Sequence, residues 1–330
     1  MTIRPHQLAF VELVKTAVPS HINLAEEVAA ILNLSSDSAY RRLRGETDFS
    51  LEEVVTLCQS FSIPLSDLTS NQSSLITFRA NDLSKDTSSF TSYLKVLYGD
   101  LQWIRQWKSH QITYAAEDLP VFYHFFLPSL ARFKMVYWNK SILANPKLKD
   151  LNVEDVQVPS GWLEEVPSVR KEFLSIPSTE IWHEDTLKST IKQIEYYVTT
   201  GYFNSKDTIK MVVDDLFTQV EMLKNQAKEG KKFNPLTNSF TDIDYTLYVC
   251  NVMIGNNCVF LSSEGQNATY LSYNSFNFIQ TKNNLFNEQT QEWLKNIIYN
   301  SELISSISER RRNQYFSILT KQIEDLQRMI

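Results

Sequence analysis

Glycine is scarce. The 330 residues contain seven, at positions 45, 99, 161, 201, 230, 255 and 265, and no two lie close together. The Walker phosphate loop and the Gly-rich dinucleotide turn both need clustered glycines to bring backbone amides up to a phosphate, so nucleotide chemistry through those folds is excluded. Cysteine is scarcer still: Cys58, Cys250 and Cys258 cannot build a disulfide framework and do not pair at metal-finger spacing, which fits a reducing compartment. The N-terminus has no basic segment leading into an apolar run, as a signal peptide would. Long apolar runs are missing too, for the richest window, 121 to 138, is interrupted by His124, Pro128, Arg132 and Lys134. A cytoplasmic protein that does not engage a membrane is expected. The five histidines are scattered without His-x-x-x-His or Glu-x-x-His pairing, so neither a metal nor a cofactor is expected, and no catalytic residue can be nominated. The expectation is a protein that is not an enzyme.

What is present is an ordinary globular composition, 43% hydrophobic and 21% charged, in a chain long enough for two folding units or one large one. The first seventy residues read as short helices with clear start signals. Pro5 to Ala17 carries Leu8, Val11 and Leu13/Val14 on one face and stops before Pro19. Asn23 can cap a second helix that buries Leu24, Val28, Ile31 and Leu32. Ser35 or Ser36 can cap a third, running to Arg44 and ending at Gly45. Ser50-Leu-Glu-Glu53 is a capping box for a fourth, with Phe49 and Val54 as its hydrophobic staple. A fifth short turn begins at Pro64.

Polar stretches at 69 to 74 and 82 to 89 place a boundary near residue 74. This divides the chain into 1–74 and 75–330. Beyond it, helices are predicted over 90–107, 127–143, 164–174, 185–199 and 205–228, with a strand at 111–115 and an irregular connection over most of 145–180. The period then changes from 3.6 to 2. Tyr245 to Met253, Cys258 to Ser262, Thr269 to Tyr273 and Phe276 to Gln280 alternate and are rich in β-branched and aromatic residues, which predicts an antiparallel meander. Two helices, 287–299 and 302–330, end the chain. The fold class is therefore mainly α, with a five-helix N-terminal domain and an α+β C-terminal part.

Ala29, Asn33, Leu34, Ala39 and Gly45 fall at the offsets of a helix-turn-helix, in which small residues let two helices cross closely so that the second can protrude into a major groove. The run LAEEVAAILNLSSDSAYRRLRGETDFSLEEVVTLCQSFSIPLSDL resembles the lambda-repressor-like, Xre-type DNA-binding domain. SAYRRLRGE followed by SLEE is similar to the variety that begins larger transcriptional regulators of unknown effector. The resemblance covers about one fifth of the chain. It implies that Ser36, Asp37 and Arg41 meet base edges, for which Arg and Asp are chemically suited, and that Arg42 and Arg44 meet phosphates. The family usually has an aliphatic residue where Arg42 stands, so Leu43 and Tyr40 are expected to take its place in the core.

Residues 1–70 hold five Lys or Arg against nine Asp or Glu, a net charge of −4. Such a domain binds phosphate weakly as a monomer, which points to a homodimer with two reading heads on double-stranded DNA. Phe316, Leu319, Ile323, Leu326 and Ile330, spaced 3, 4, 3, 4, form either a coiled-coil seam for that dimer or a helix packed on its own domain. Arg310 to Arg312 reads as a solvated face. The aromatic segment from Trp103 to Trp138 is either core or the lining of a small-molecule effector pocket. Trp182-His183-Glu184-Asp185, the one compact titratable cluster, reads as a polar helix start. The reading is a DNA-binding transcriptional regulator whose C-terminal part serves oligomerisation and, if the aromatic segment lines a pocket, small-molecule sensing. Two others stay open: a scaffold whose helix-turn-helix binds a protein partner, and an enzyme built on 75–330.

Overall fold

The computed structural model describes residues 5–330 apart from 20, 62, 64, 69–75, 82 and 84–86. The boundary expected near residue 74 lies outside the described residues.

Four helices open the chain: α1 (Pro5–Ala17), α2 (Leu24–Leu32), α3 (Ser36–Leu43) and α4 (Leu51–Phe61), followed by a single 3-10 turn, Leu65–Leu68. Their start signals act as written in the sequence. The Asn23 side chain accepts from the Ala25 and Glu26 amides, and the Ser35 hydroxyl accepts from the Ser38 amide at 3.2 Å. At α4 the capping box is complete: Glu53 N–H donates to Ser50 Oγ at 3.2 Å while Ser50 N–H donates to Glu53 Oε2 at 2.9 Å. These helices close over a small core of Phe10, Val14, Val28, Ala29, Ala39 and Leu57. The face of α1 differs from expectation. Phe10 packs edge-on against Phe49 with centroids 5.4 Å apart, which turns Phe10, Val11 and Val14 inward and leaves Leu8 51% exposed.

The rest of the chain is built on a mixed sheet in the order β1-β8-β7-β6-β2-β3-β5-β4, with β9 also on β5. The strands are β1 (Arg79–Ala80), β2 (Gln111–Ala115), β3 (Ser178–Trp182), β4 (Lys231–Asn234), β5 (Ser239–Cys250), β6 (Cys258–Ser262), β7 (Asn267–Tyr273), β8 (Asn277–Thr281) and β9 (Ser301–Leu303). The helices are α5 (Thr87–Arg105), α6 (Pro128–Tyr137), α7 (Ser160–Leu174), α8 (Lys188–Thr199), α9 (Lys206–Glu229), α10 (Asn284–Tyr299) and α11 (Glu309–Met329). The predicted four-strand meander is corrected: β6, β7 and β8 form one, but β5 stands apart from it. Parallel pairs β2–β3 and β3–β5 lie between, and β6 runs antiparallel on the far edge of β2. Helical connections separate β2 from β3 and β3 from β5, as parallel pairs require.

Period 2 explains how the sheet serves two cores. Val259 and Leu261 of β6 join the large core with α5, α6, α7, α9 and α11, whereas Cys258 and Phe260 face a smaller one closed by Leu294 of α10. Strand β3 has no such alternation, because Ser178, Glu180, Ile181 and Trp182 are all buried. Helices α5 and α7 approach so closely that a Cβ on Gly161 would stand 2.5 Å from Thr91 Cγ2. Gly230 ends α9 at φ +66°, and a Cβ there would meet Ser306 Oγ at 2.2 Å.

The 302–330 helix is also corrected. Its first residues form β9 and a turn held by Arg312, whose Nη1 donates to the Ile304 and Ile307 carbonyls at 2.9 Å. Arg312 is therefore buried, and Arg311 pairs with Glu302 at 3.0 Å and Glu184 at 3.6 Å, so this is not a solvated arginine face. The apolar seam of α11 packs inside its own chain: Phe316, Leu319, Ile323 and Leu326 are buried in the large core against α8 and α9. That removes it as a coiled-coil surface.

Candidate nucleic-acid interface

Helix α2, the turn Asn33–Ser35 and α3 form the helix-turn-helix. Asn33 takes the left-handed conformation, φ 53°, and its N–H caps α2 on the Ala29 carbonyl. Ala29 and Ala39 are both buried, which is the close crossing their size permits. With Ala39 inward, the exposed stripe of α3 is fixed by its 3.6-residue turn as Ser36, Asp37, Tyr40, Arg41 and Arg44.

Four of the five residues nominated from sequence thus share one surface. Arg42 does not. Its Nε and Nη2 hold Glu53 Oε2 and Oε1, each at 3.0 Å, and its Nη1 donates to the Ser38 carbonyl at 3.3 Å. Burial pushes the Glu53 carboxyl up, but the Arg42 hydrogen bond, the Ser50 amide and the Arg42 charge outweigh it and hold the group below its ordinary value. One carboxylate therefore caps α4 and fastens α3 to it. Arg42 stands where the family usually has an aliphatic residue, and it is accommodated there half-buried by meeting a charge at its end.

Tyr40, expected in the core with Leu43, is instead 53% exposed, while Leu43 packs on the core. The Arg44 guanidinium lies 5.5 Å from the Tyr40 ring centroid, so aromatic and cation form one unit on the exposed stripe. Arg44 also reaches Glu46 at 3.4 Å, and Arg41 reaches the same carboxylate at 3.7 Å. Gln7 of α1 was not anticipated. Its amide donates to the Arg42 and Thr47 carbonyls at 3.2 and 2.8 Å and so ties down the end of α3. Helical register, counted from Ala39, carried the signal for Tyr40; nothing local marked Gln7, whose partners lie 35 and 40 residues away.

Residues 12–87 match the family model of the BetR domain, a DNA-binding domain of helix-turn-helix type. The N-terminal part is thus similar to a BetR-type helix-turn-helix module. The match covers α2, α3 and α4 and reaches the start of α5, well under half of the chain. Neither a curated protein nor a solved structure matches the chain.

Outside the BetR-like module, the 182–185 cluster forms the turn into α8. His183 Nδ1 accepts from the Asp185 amide at 3.1 Å, and Thr186 bonds both the N–H and the carbonyl of His183. Burial lowers the His183 imidazole despite the nearby Asp185 charge. No group of three or more His, Cys, Asp or Glu side chains converges among the described residues, and no helix there is long and apolar enough to cross a membrane. The aromatic segment is mostly core, with Tyr114, Tyr123, Phe133 and Trp138 all buried.

Proposed function

We propose that this chain is a sequence-specific transcriptional regulator of the lambda-repressor-like, Xre type, rather than an enzyme, and that α3 is its reading element. Residues 1–74 form the DNA-binding unit and 75–330 the unit for oligomerisation and sensing. The observation that carries this reading is the shared exposed stripe of Ser36, Asp37, Tyr40, Arg41 and Arg44 on the second helix of the helix-turn-helix, within the residues that match the BetR domain. In this reading Arg41 bonds guanine, Asp37 accepts from cytosine N4, and Arg44 meets phosphate beside Tyr40. Arg42 leaves the contact set, because its guanidinium holds Glu53.

Losing one cation from an acidic module strengthens the case for two reading heads. The active form is a homodimer on an inverted repeat, joined through a surface other than α11. Selection of genomic duplexes by the full-length protein tests this: the expected result is an enriched inverted repeat, and an unstructured, sequence-blind pool would overturn it. Arg41→Ala should cost about 1–3 kcal/mol on the selected site and little on random duplex.

The pairing of both exposed arginines with Glu46 favours a second reading, in which α3 docks a protein. It predicts no measurable duplex binding at low salt, the condition most favourable to phosphate contacts.

A further inference from the structure

Between α5 and strands β6, β7 and β8 lies a cavity of about 30 Å3. Leu101, Phe122, Val259, Leu261 and Phe278 line it, while Asp100 and Tyr270 are the polar residues on its surface. A hole with so few polar partners holds water poorly and accepts small apolar groups.

Charge is gathered beside it. Arg79 Nη2 donates to both oxygens of Asp100, at 3.0 and 3.2 Å, so that carboxylate is already matched. Lys282, the residue after β8, adds a second cation. Its Nζ lies 3.8 Å from the centroid of the Trp103 ring, one helical turn beyond Asp100, and has no carboxylate within 4.0 Å among the described residues. Burial pushes this ammonium down to about 8, although the Asp100 charge acts the other way, so it still carries its proton at neutral pH. Two cations against one carboxylate leave an excess of positive charge next to an apolar hole.

We propose that this cavity binds a small carboxylate, with a short or branched hydrocarbon chain in the hole and the carboxylate group on Lys282. The size follows from the volume. One water-sized group needs roughly 10–15 Å3, so the hole takes two or three such groups and excludes a long acyl chain. The sign follows from the pairing, because Asp100 is occupied by Arg79 and the unmatched group is an ammonium. The site stands independently of DNA binding; its role as the effector site of a regulator rests on the function proposed above.

Calorimetric titration of the full-length protein with isobutyrate, without DNA, tests the site. Saturable one-to-one binding is expected, at least roughly tenfold weaker in Lys282→Met and lost in Leu261→Phe, which fills the hole. Octanoate should bind no better than isobutyrate, and isobutylamine should not bind. Should Leu261→Phe fail to fold, Val259→Ile adds a single methyl to the lining and should weaken binding while keeping the native melting curve. Absence of saturation, or equal affinity in natively folded Lys282→Met and Val259→Ile, would overturn the site. In a separate arm, a duplex-binding curve unmoved by saturating isobutyrate would overturn the effector role alone.

Discussion

Neighbouring arginines on α3 have opposite duties, decided by the direction in which each side chain leaves the helix. Arg42 points to α4 and its half-buried pair with Glu53 is shielded from solvent, whereas the Arg44 side chain is 61% exposed. Arg42→Ala should therefore lower stability by about 1–3 kcal/mol in urea, because Glu53 loses a charged hydrogen-bond partner. Arg44→Ala should change stability by no more than about 0.5 kcal/mol, weaken all duplexes alike and reduce the salt slope by about one unit. The reverse pattern would show that α3 is rotated from the register seen here. A second pair of residues sets the interior of the sheet. Glu180 accepts from Tyr123 Oη at 2.8 Å and Tyr245 Oη at 3.3 Å, and burial pushes its carboxyl up to about 7. Lys232 donates to the Phe173 carbonyl at 2.7 Å, and burial lowers it to about 7 against the opposing pull of Glu180. The two are coupled through charge without an ion pair, and each can neutralise near pH 7, so Glu180→Gln should cost about 1–3 kcal/mol, mainly through its hydrogen bonds to Tyr123 and Tyr245. Glu180→Gln with Lys232→Met should recover part of that loss, and a double-mutant cycle with no coupling energy would show that the two do not compensate one another.

At the level of elements, α11 shows how a sequence pattern can be right and its partner wrong. The 3-4 seam is a genuine apolar stripe, but α8 and α9 of the same chain cover it. Leu326→Asp should thus lower the melting temperature sharply, with a cost of about 3–5 kcal/mol for a buried, unpaired carboxylate, and should act on folding before any effect on assembly. Normal melting with weakened self-association would return α11 to the interface. Helices with caps and amphipathic period are legible: α2 and α4 begin where Asn23 and Ser50 predict, α3 begins after Ser35, one of the two serines the sequence offers, and the strand expected at 111–115 is β2. Strand β3 was hidden because it is buried on both faces, follows Pro177 and carries a charged residue whose partners are 57 and 65 residues distant. β9 was read as helix, since only the buried Arg312 and the positive φ of Ser306 and Ser308 reveal the turn between it and α11. Strand pairing was the least legible feature. Local alternation identifies β5 and β6, but the two strands that separate them come from residues 111–182, and nothing in a period-2 pattern says where a distant strand inserts.

On the scale of the whole molecule, the small core around Phe10, Val28, Ala39 and Leu57 shares no element with the two cores on either side of the sheet, which β6 joins. Cooperativity in unfolding follows shared elements and shared burial, so the helical module and the sheet domain should melt as two units. A helical module of roughly seventy residues buries a smaller fraction of its surface than the much larger C-terminal part and should be the less stable of the two. Differential scanning calorimetry of the full chain is expected to give a small transition at lower temperature and a large one above it. The substitutions already argued assign them: Arg42→Ala should shift only the first, and Leu326→Asp only the second. Proteolysis under native conditions should cut within residues 69–74, ahead of β1, and leave a stable C-terminal fragment, since that stretch is polar in sequence. A single transition displaced by either substitution would mean that the reading helix and the sheet domain fold as one body, and a ligand in the cavity beside α5 would then act on α3 through a common core rather than across a linker.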